Sequence, residues 1–225
     1  MYYDELRSII EIISAVICFI LLRFMIKPYL VTREGRYIGL PLGFGFLGVS
    51  YVISAIAYAQ PNFVEGDLKW FQLLFRGFSF VFLAVAYYFS KKPSKNTRIF
   101  WDITFSGLFV GLTALALLYF IAPQITLDNY WTINLFVRAT GIVCLSYIFV
   151  HCIREHIKEA EPTSIWVATA YALLGISQYS TLVWVVDKSY FAFWGSLAVR
   201  LMGLAVFLYV TYHSFYQLKK KRQQP

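Results

Sequence analysis

Apolar residues fill seven long stretches of the 225-residue chain, and short polar segments separate them. A helix needs about 20 mostly apolar residues to cross a bilayer, and each of the seven stretches reaches that length. The predicted spans are residues 6–27, 37–60, 69–91, 98–122, 130–153, 163–186 and 190–214. The pattern predicts an all-α integral membrane protein with seven transmembrane helices in a single domain, residues 1–225, because no segment is left for a soluble domain.

A repeat with a period of about 62 residues runs through the last six predicted helices. Three arginines mark the repeat, and each follows a polar residue by four positions, about one helical turn. The arginines are Arg76, Arg138 and Arg200, and the polar residues are Gln72, Asn134 and Ser196. We therefore expect one helix at 6–27, three two-helix hairpins at 37–91, 98–153 and 163–214, and a basic tail at 215–225.

The first helix of each predicted hairpin carries a glycine followed two positions later by a hydroxyl residue. The three steps are Gly48 to Ser50, Gly111 to Thr113 and Gly175 to Ser177. Small residues let membrane helices approach closely, and hydroxyl groups hydrogen-bond across the interface between them. We expect these hydroxyl groups to bond to a neighbouring helix.

Charge predicts the orientation of the helices. Apolar residues make up 59% of the chain and charged residues 14%, with a formal net charge of +8. Basic residues collect on one side of the predicted spans, and this is typical of the cytoplasmic side. They are Arg23, Lys27, Arg33, Arg36, Lys91, Lys92, Lys95, Arg98, Arg154, Lys158, Lys219, Lys220, Lys221 and Arg222. We expect a multi-pass plasma-membrane protein with its N-terminus outside and its C-terminus in the cytoplasm. Its basic loops would contact anionic membrane lipids rather than nucleic acid.

The three arginines are the candidate chemistry of the chain. A charged side chain at the centre of a membrane helix costs about 2.5 to 3.5 kcal/mol on insertion scales and marks a candidate functional site. Two interpretations stay open. Each guanidinium can extend separately towards the outer membrane surface or pair with an acid such as Glu11. Alternatively, the three line one outer-half pocket for a carboxylate or a lipid phosphate, with Glu11 as counter-ion and the polar residues Gln72, Asn134 and Ser196 at its rim.

The histidines suggest two alternative functions. His151 and His213 are also 62 residues apart, near the inner ends of two predicted helices. Two facing imidazoles would ligate a b-type haem and make the protein an electron-transfer subunit. Together with His156 and Asp102 on the same side, they would instead suggest a zinc-dependent lipid hydrolase. The spacing of five residues between His151 and His156 does not place both on one helix face, which weakens the zinc alternative.

The remaining motifs favour a non-catalytic protein without a cofactor, since the sequence contains no phosphate-binding loop, nucleophile elbow or pair of acids. The layout of one helix plus three hairpins, with Gly48-Val49-Ser50-Tyr51 in helix 2 and Arg76-Gly77 in helix 3, resembles the seven-helix sensor modules that precede prokaryotic histidine kinases. The resemblance implies sensing of a ligand or of the membrane state. Because the sequence ends shortly after the last span, we expect it to act through a protein partner or as a homo-oligomer, as a sensor or accessory subunit.

Overall fold

The computed structural model describes residues 2–32, 38–59, 65–89, 95–122, 129–159 and 162–223, with side chains for somewhat shorter ranges. Every regular element in these ranges is an α-helix. The helices are α1 (Tyr2–Thr32), α2 (Gly39–Ala59), α3 (Glu65–Phe89), α4 (Lys95–Ile121), α5 (Tyr130–Glu159), α6 (Pro162–Asp187) and α7 (Tyr190–Gln223). Seven helices are long and apolar enough to cross a membrane, which confirms the predicted all-α, multi-pass architecture.

The helices differ from the predicted spans mainly at their ends. The helix α5 continues to Glu159, and α7 continues to Gln223, through most of the predicted basic tail. Lysine, arginine and glutamine favour helix, so a helix can continue beyond the last apolar residue. Among the residues that predict the orientation, Arg33, Arg36, Lys91 and Lys92 lie outside the described ranges.

The chain divides into two compact units, Met1–Cys144 and Leu145–Pro225, and the boundary falls within α5. In the first unit, α1, α2 and α3 pack side by side in antiparallel order. The hydroxyl of Ser8 in α1 donates to the carbonyl of Ala55 in α2 at 3.2 Å. At Gly43 of α2 an added Cβ would lie 2.5 Å from Cγ of Leu83, so this glycine is needed for the close approach of α2 and α3.

The helix α4 packs against α3 through aromatic side chains. The ring of Phe82 in α3 lies 5.3 Å from that of Phe105 in α4, and the indole of Trp70 donates to the carbonyl of Leu115 at 3.3 Å. The first-unit part of α5 also contacts α3, since an added Cβ at Gly77 would meet Val137 at 2.7 Å. These contacts place α1, α3 and α5 parallel to one another, with α2 and α4 antiparallel to them.

In the second unit, α6 and α7 form an antiparallel pair. The ring of Tyr171 packs edge-on against Phe207 at 4.6 Å, and the ring of Trp184 lies 5.1 Å from that of Phe193 near the connection. The backbone of α6 comes close to Gly203, where an added Cβ would lie 3.2 Å from the carbonyl oxygen of residue 170.

Candidate anion-binding site

Polar side chains of α2 lie at every fourth position along one face of the helix. Ser50 and Ser54 are completely buried, and Tyr58 follows them near the end of α2. Residues four apart share a helix face, so this stripe runs along the interface with α1 and α3. The glycine-to-hydroxyl step predicted a contact for Ser50 alone, although the spacing of four residues also indicates Ser54 and Tyr58 on the same face.

Arg76 of α3 lies against this stripe. Its Nε donates to the hydroxyl of Ser50 at 3.2 Å, and its Nη2 to the hydroxyl of Ser54 at 3.4 Å. The guanidinium also lies 5.3 Å from the ring of Tyr51. Only 7% of Arg76 is exposed, and these partners are all uncharged. The side chain is therefore held between two helices, and none of these contacts neutralises its charge.

The predicted partner residue one turn before Arg76 strengthens the same interface. The amide of Gln72 donates to the hydroxyl of Ser54 at 2.5 Å, and its backbone carbonyl accepts a hydrogen bond from Ser50 at 3.2 Å. Ser50 and Ser54 thus each bond to both polar residues of α3. The arrangement fixes the rotation of α2 about its axis relative to α3.

Arg138 of α5 has fewer partners. Its Nε donates to the side-chain oxygen of Asn134, one turn earlier on the same helix, at 2.7 Å. Its Nη1 is buried and has no hydrogen-bond acceptor within the described part of the chain. The charged side chains that act on this guanidinium are Arg76 and Arg7, and both are cations. Arg138 as a whole is half-buried, but its Nη1 is a buried donor on which other cations act.

The N-terminal part of α1 completes the surroundings. Arg7 donates a hydrogen bond to the hydroxyl of Tyr58, and its guanidinium lies 3.4 Å from the centroid of that ring. Glu11 is buried at 3% exposure and acts electrostatically on Tyr58, as do the arginines of α3 and α5. Charged side chains from α1, α3 and α5 therefore all act on Tyr58 of α2.

We call this group of side chains the Tyr58 cluster. Its members are Arg7, Glu11, Ser50, Ser54, Tyr58, Gln72, Arg76, Tyr130, Asn134 and Arg138. It brings together five of the seven predicted site residues. The sixth and seventh, Arg200 and Ser196, belong to the second unit and are both buried, at 4% and 3% exposure. Sequence reasoning missed Arg7, which lies near the helix end and looked like a loop charge.

The predicted hydroxyl contacts form in two of the three hairpins. Ser50 donates to the carbonyl of Gln72, and Ser177 donates to the carbonyl of Ser196 at 2.8 Å. These bonds are equivalent, because both acceptors precede a repeat arginine by four residues. The prediction was wrong for Thr113, which is exposed and donates to the carbonyl of Phe109 in its own helix. Since α4 packs against α3 with other residues, this hydroxyl faces away from the bundle.

The histidines lie in different environments. His151 is half-buried beside the ring of Tyr147, whereas His213 is exposed and stacks on Tyr209. His156 shares a hydrogen bond of 2.8 Å with Ser164, which joins α5 to α6. Among the residues that the structure describes, no three His, Cys, Asp or Glu side chains form a group able to hold a metal.

The Tyr58 cluster carries a net positive formal charge. It holds three guanidinium groups and one carboxylate, together with hydroxyl and amide groups that stabilise the arginines without neutralising them. Comparisons with protein-family models, with curated proteins and with solved structures found no match. The resemblance to membrane sensor modules therefore stays a prediction.

Proposed function

We propose that this protein is a non-catalytic plasma-membrane protein that binds an anion at the Tyr58 cluster. It would act as a ligand- or membrane-sensing module, or as an accessory subunit of a membrane complex. The observation that carries the proposal is the buried Nη1 of Arg138, which has no acceptor among the described residues. Buried polar groups almost always have a hydrogen-bond partner, and an ionised group without one is costly. A bound carboxylate or phosphate oxygen would supply that partner.

The charge of the cluster supports the same conclusion. Arg7, Arg76 and Arg138 bring three formal positive charges, and Glu11 brings one negative charge. The planar guanidinium binds carboxylate and phosphate oxygens through two parallel hydrogen bonds. Among the described residues, the Nε of Arg138 donates to Asn134 and its Nη1 has no acceptor, so Nη1 is available to a ligand. An anion would relieve both the missing hydrogen bond and the repulsion between the arginines.

The depth of the two arginines fits a site in the outer half of the membrane. Arg76 and Arg138 each lie eight residues after the start of their spans, at Leu68 and Tyr130. At 1.5 Å per residue this is about 12 Å along the helix. We propose that these helices start at the external side, because the basic loops mark the opposite side as cytoplasmic. A ligand would then enter from outside the cell or from the outer leaflet.

We also propose that the helices arose as one plus three repeated hairpins. The equivalent hydrogen bonds of Ser50 and Ser177 support this, since a shared ancestor explains why the same bond forms in the first and third hairpins. In this scheme the second hairpin has diverged, and Arg138 is half-buried, whereas Arg76 and Arg200 are only 7% and 4% exposed.

Calorimetric titration of the purified protein in phosphatidylcholine nanodiscs would test anion binding, with inorganic phosphate and acetate as probes. We expect Arg138→Gln to weaken binding about 10- to 100-fold, because a hydrogen bond to a charged group contributes about 1.5 to 3 kcal/mol. The matched control is Arg154→Gln, which removes an exposed arginine from the same helix. Equal binding by both variants and the unchanged protein would overturn the proposal.

The sensor or accessory role has a separate test. Gentle extraction with a native-membrane polymer, followed by mass spectrometry, would identify chains and small molecules that co-purify with the protein. We expect a stoichiometric membrane partner or a defined homo-oligomer. A monomer that co-purifies with no other chain would contradict the accessory role while leaving anion binding intact.

A further inference from the structure

The charges of the Tyr58 cluster divide into a compensated pair and an uncompensated pair. Glu11 follows Arg7 by four residues on α1, the spacing at which opposite charges attract on a helix surface, and both side chains act on Tyr58. Arg76 and Arg138 come from helices that touch beside them, since an added Cβ at Gly77 would lie 2.7 Å from Val137, and the two guanidinium groups act on each other as like charges. Their hydrogen-bond acceptors are serine and asparagine oxygens. Within the described part of the chain, these two guanidinium groups therefore carry two formal positive charges and hydrogen-bond to no carboxylate.

We infer that the anion at this site is a phosphate monoester or inorganic phosphate in its doubly charged form, and this inference rests on the proposed anion-binding function. A phosphate monoester carries about −1.5 to −2 charges near neutral pH and presents three strong acceptor oxygens on one atom. It can accept hydrogen bonds from both Arg76 and Arg138 and neutralise both. A carboxylate or a phosphodiester brings a single negative charge and leaves one cation uncompensated.

Two phenols add to the specificity. Tyr130 precedes Arg138 by eight residues, about two turns, on α5, and Tyr58 of α2 contacts Arg7. Both phenols act electrostatically on Arg138. A phenol hydroxyl can donate a hydrogen bond, and a tetrahedral phosphate has enough oxygens to accept from both phenols and both arginines. A carboxylate has only two oxygens to share among these donors. In a low-dielectric site each extra charge-assisted bond increases selectivity for the phosphate monoester.

The phosphate group has two chemical sources, a soluble phosphate and a lipid whose headgroup is a bare phosphate. The first arm of the test is titration of inorganic phosphate into the protein in phosphatidylcholine nanodiscs at pH 8. The second arm compares nanodiscs that contain phosphatidic acid, a lipid monoester, with nanodiscs that contain the diester phosphatidylglycerol, and counts retained lipids by native mass spectrometry. Binding in the first arm alone indicates a soluble ligand, and retention in the second indicates a lipid.

We expect the unchanged protein to prefer the monoester over the diester, or phosphate over acetate, by about tenfold or more, the effect of one charge-assisted interaction. Arg76→Gln and Arg138→Gln should each reduce this preference, because one cation then remains. Arg138→Lys keeps the positive charge but loses the planar guanidinium with its two parallel hydrogen bonds, so it should keep part of the preference for the doubly charged probe. Far-UV circular dichroism and the elution profile establish that each variant is folded.

The outcomes separate the two proposals. The phosphate inference is wrong if the protein binds singly and doubly charged probes with equal affinity and Arg138→Gln binds neither probe. That result would still support an anion-binding site. Binding that neither Arg76→Gln nor Arg138→Gln changes would refute both. If Arg76→Gln fails to fold, the Arg138→Lys and Arg138→Gln pair still decides, because Arg138 makes its protein hydrogen bond within its own helix.

Discussion

Ser54→Ala tests whether the polar stripe of α2 holds the arginine of α3 in place. Ser54 is completely buried, and its hydroxyl accepts hydrogen bonds from Gln72 at 2.5 Å and from Arg76 at 3.4 Å. Alanine fits the same space, and the change removes only the hydroxyl group. The half-buried amide of Gln72 and the buried guanidinium of Arg76 would then each lose one acceptor.

The magnitude follows from the two distances. The bond from Gln72 is short, whereas the bond from Arg76 lies beyond the usual range of up to about 3.2 Å and contributes less. Leaving a buried donor without a partner costs about 1 to 3 kcal/mol in soluble proteins, but interhelical hydrogen bonds in membranes average about 0.6 kcal/mol. The lower figure applies because the unfolded chain in a membrane also finds partners. Two such bonds, the second weaker than the first, give an expected loss of about 0.6 to 1.2 kcal/mol in the free energy of unfolding of Ser54→Ala.

Reversible unfolding in mixed micelles, followed by far-UV circular dichroism, measures this free energy. The control is Thr113→Ala, which also removes a hydroxyl from a membrane helix. Thr113 is exposed and bonds only to its own helix, so its loss should change the free energy of unfolding by less than about 0.5 kcal/mol. If the two variants unfold at the same detergent fraction, the stripe does not hold α2 against α3, and the assigned contacts of Arg76 are wrong.

Three further predictions concern other parts of the chain. Asn134→Asp places a carboxylate beside the guanidinium of Arg138. We expect the free energy of unfolding to rise by about 1 kcal/mol and phosphate affinity to fall at least about tenfold, because the carboxylate takes the place of the anion. A rise in both quantities would refute the anion site. Gly43→Ala should lower the free energy of unfolding by about 1 to 3 kcal/mol, because its Cβ would overlap a leucine of α3. The control is Gly107→Ala: Gly107 has open space around it, so this change should be neutral or slightly stabilising in the same assay. The haem alternative predicts a Soret band in purified protein that disappears in the His151→Ala, His213→Ala double variant, and a colourless preparation would exclude it.

The number of membrane spans and their approximate positions follow from the sequence, because the bilayer imposes a local rule. Each span must be about 20 mostly apolar residues long whatever its neighbours are, so hydropathy along the chain is enough to find it. The sequence also shows Arg76, Arg138 and Arg200 as charged residues inside apolar spans. These features need no knowledge of which helices touch.

The partners of those arginines depend on the tertiary structure. Arg7 and Tyr58 lie 51 residues apart, yet they contact each other and share their surroundings with Arg138. Thr113 occupies the same step as Ser50 but faces away from the bundle, because α4 turns a different face towards α3. Most membrane helices carry apolar residues on every face, so hydropathy does not predict how each helix is rotated about its axis. Close packing at glycines and hydrogen bonds between helices decide that rotation, and both depend on residues far away in the sequence.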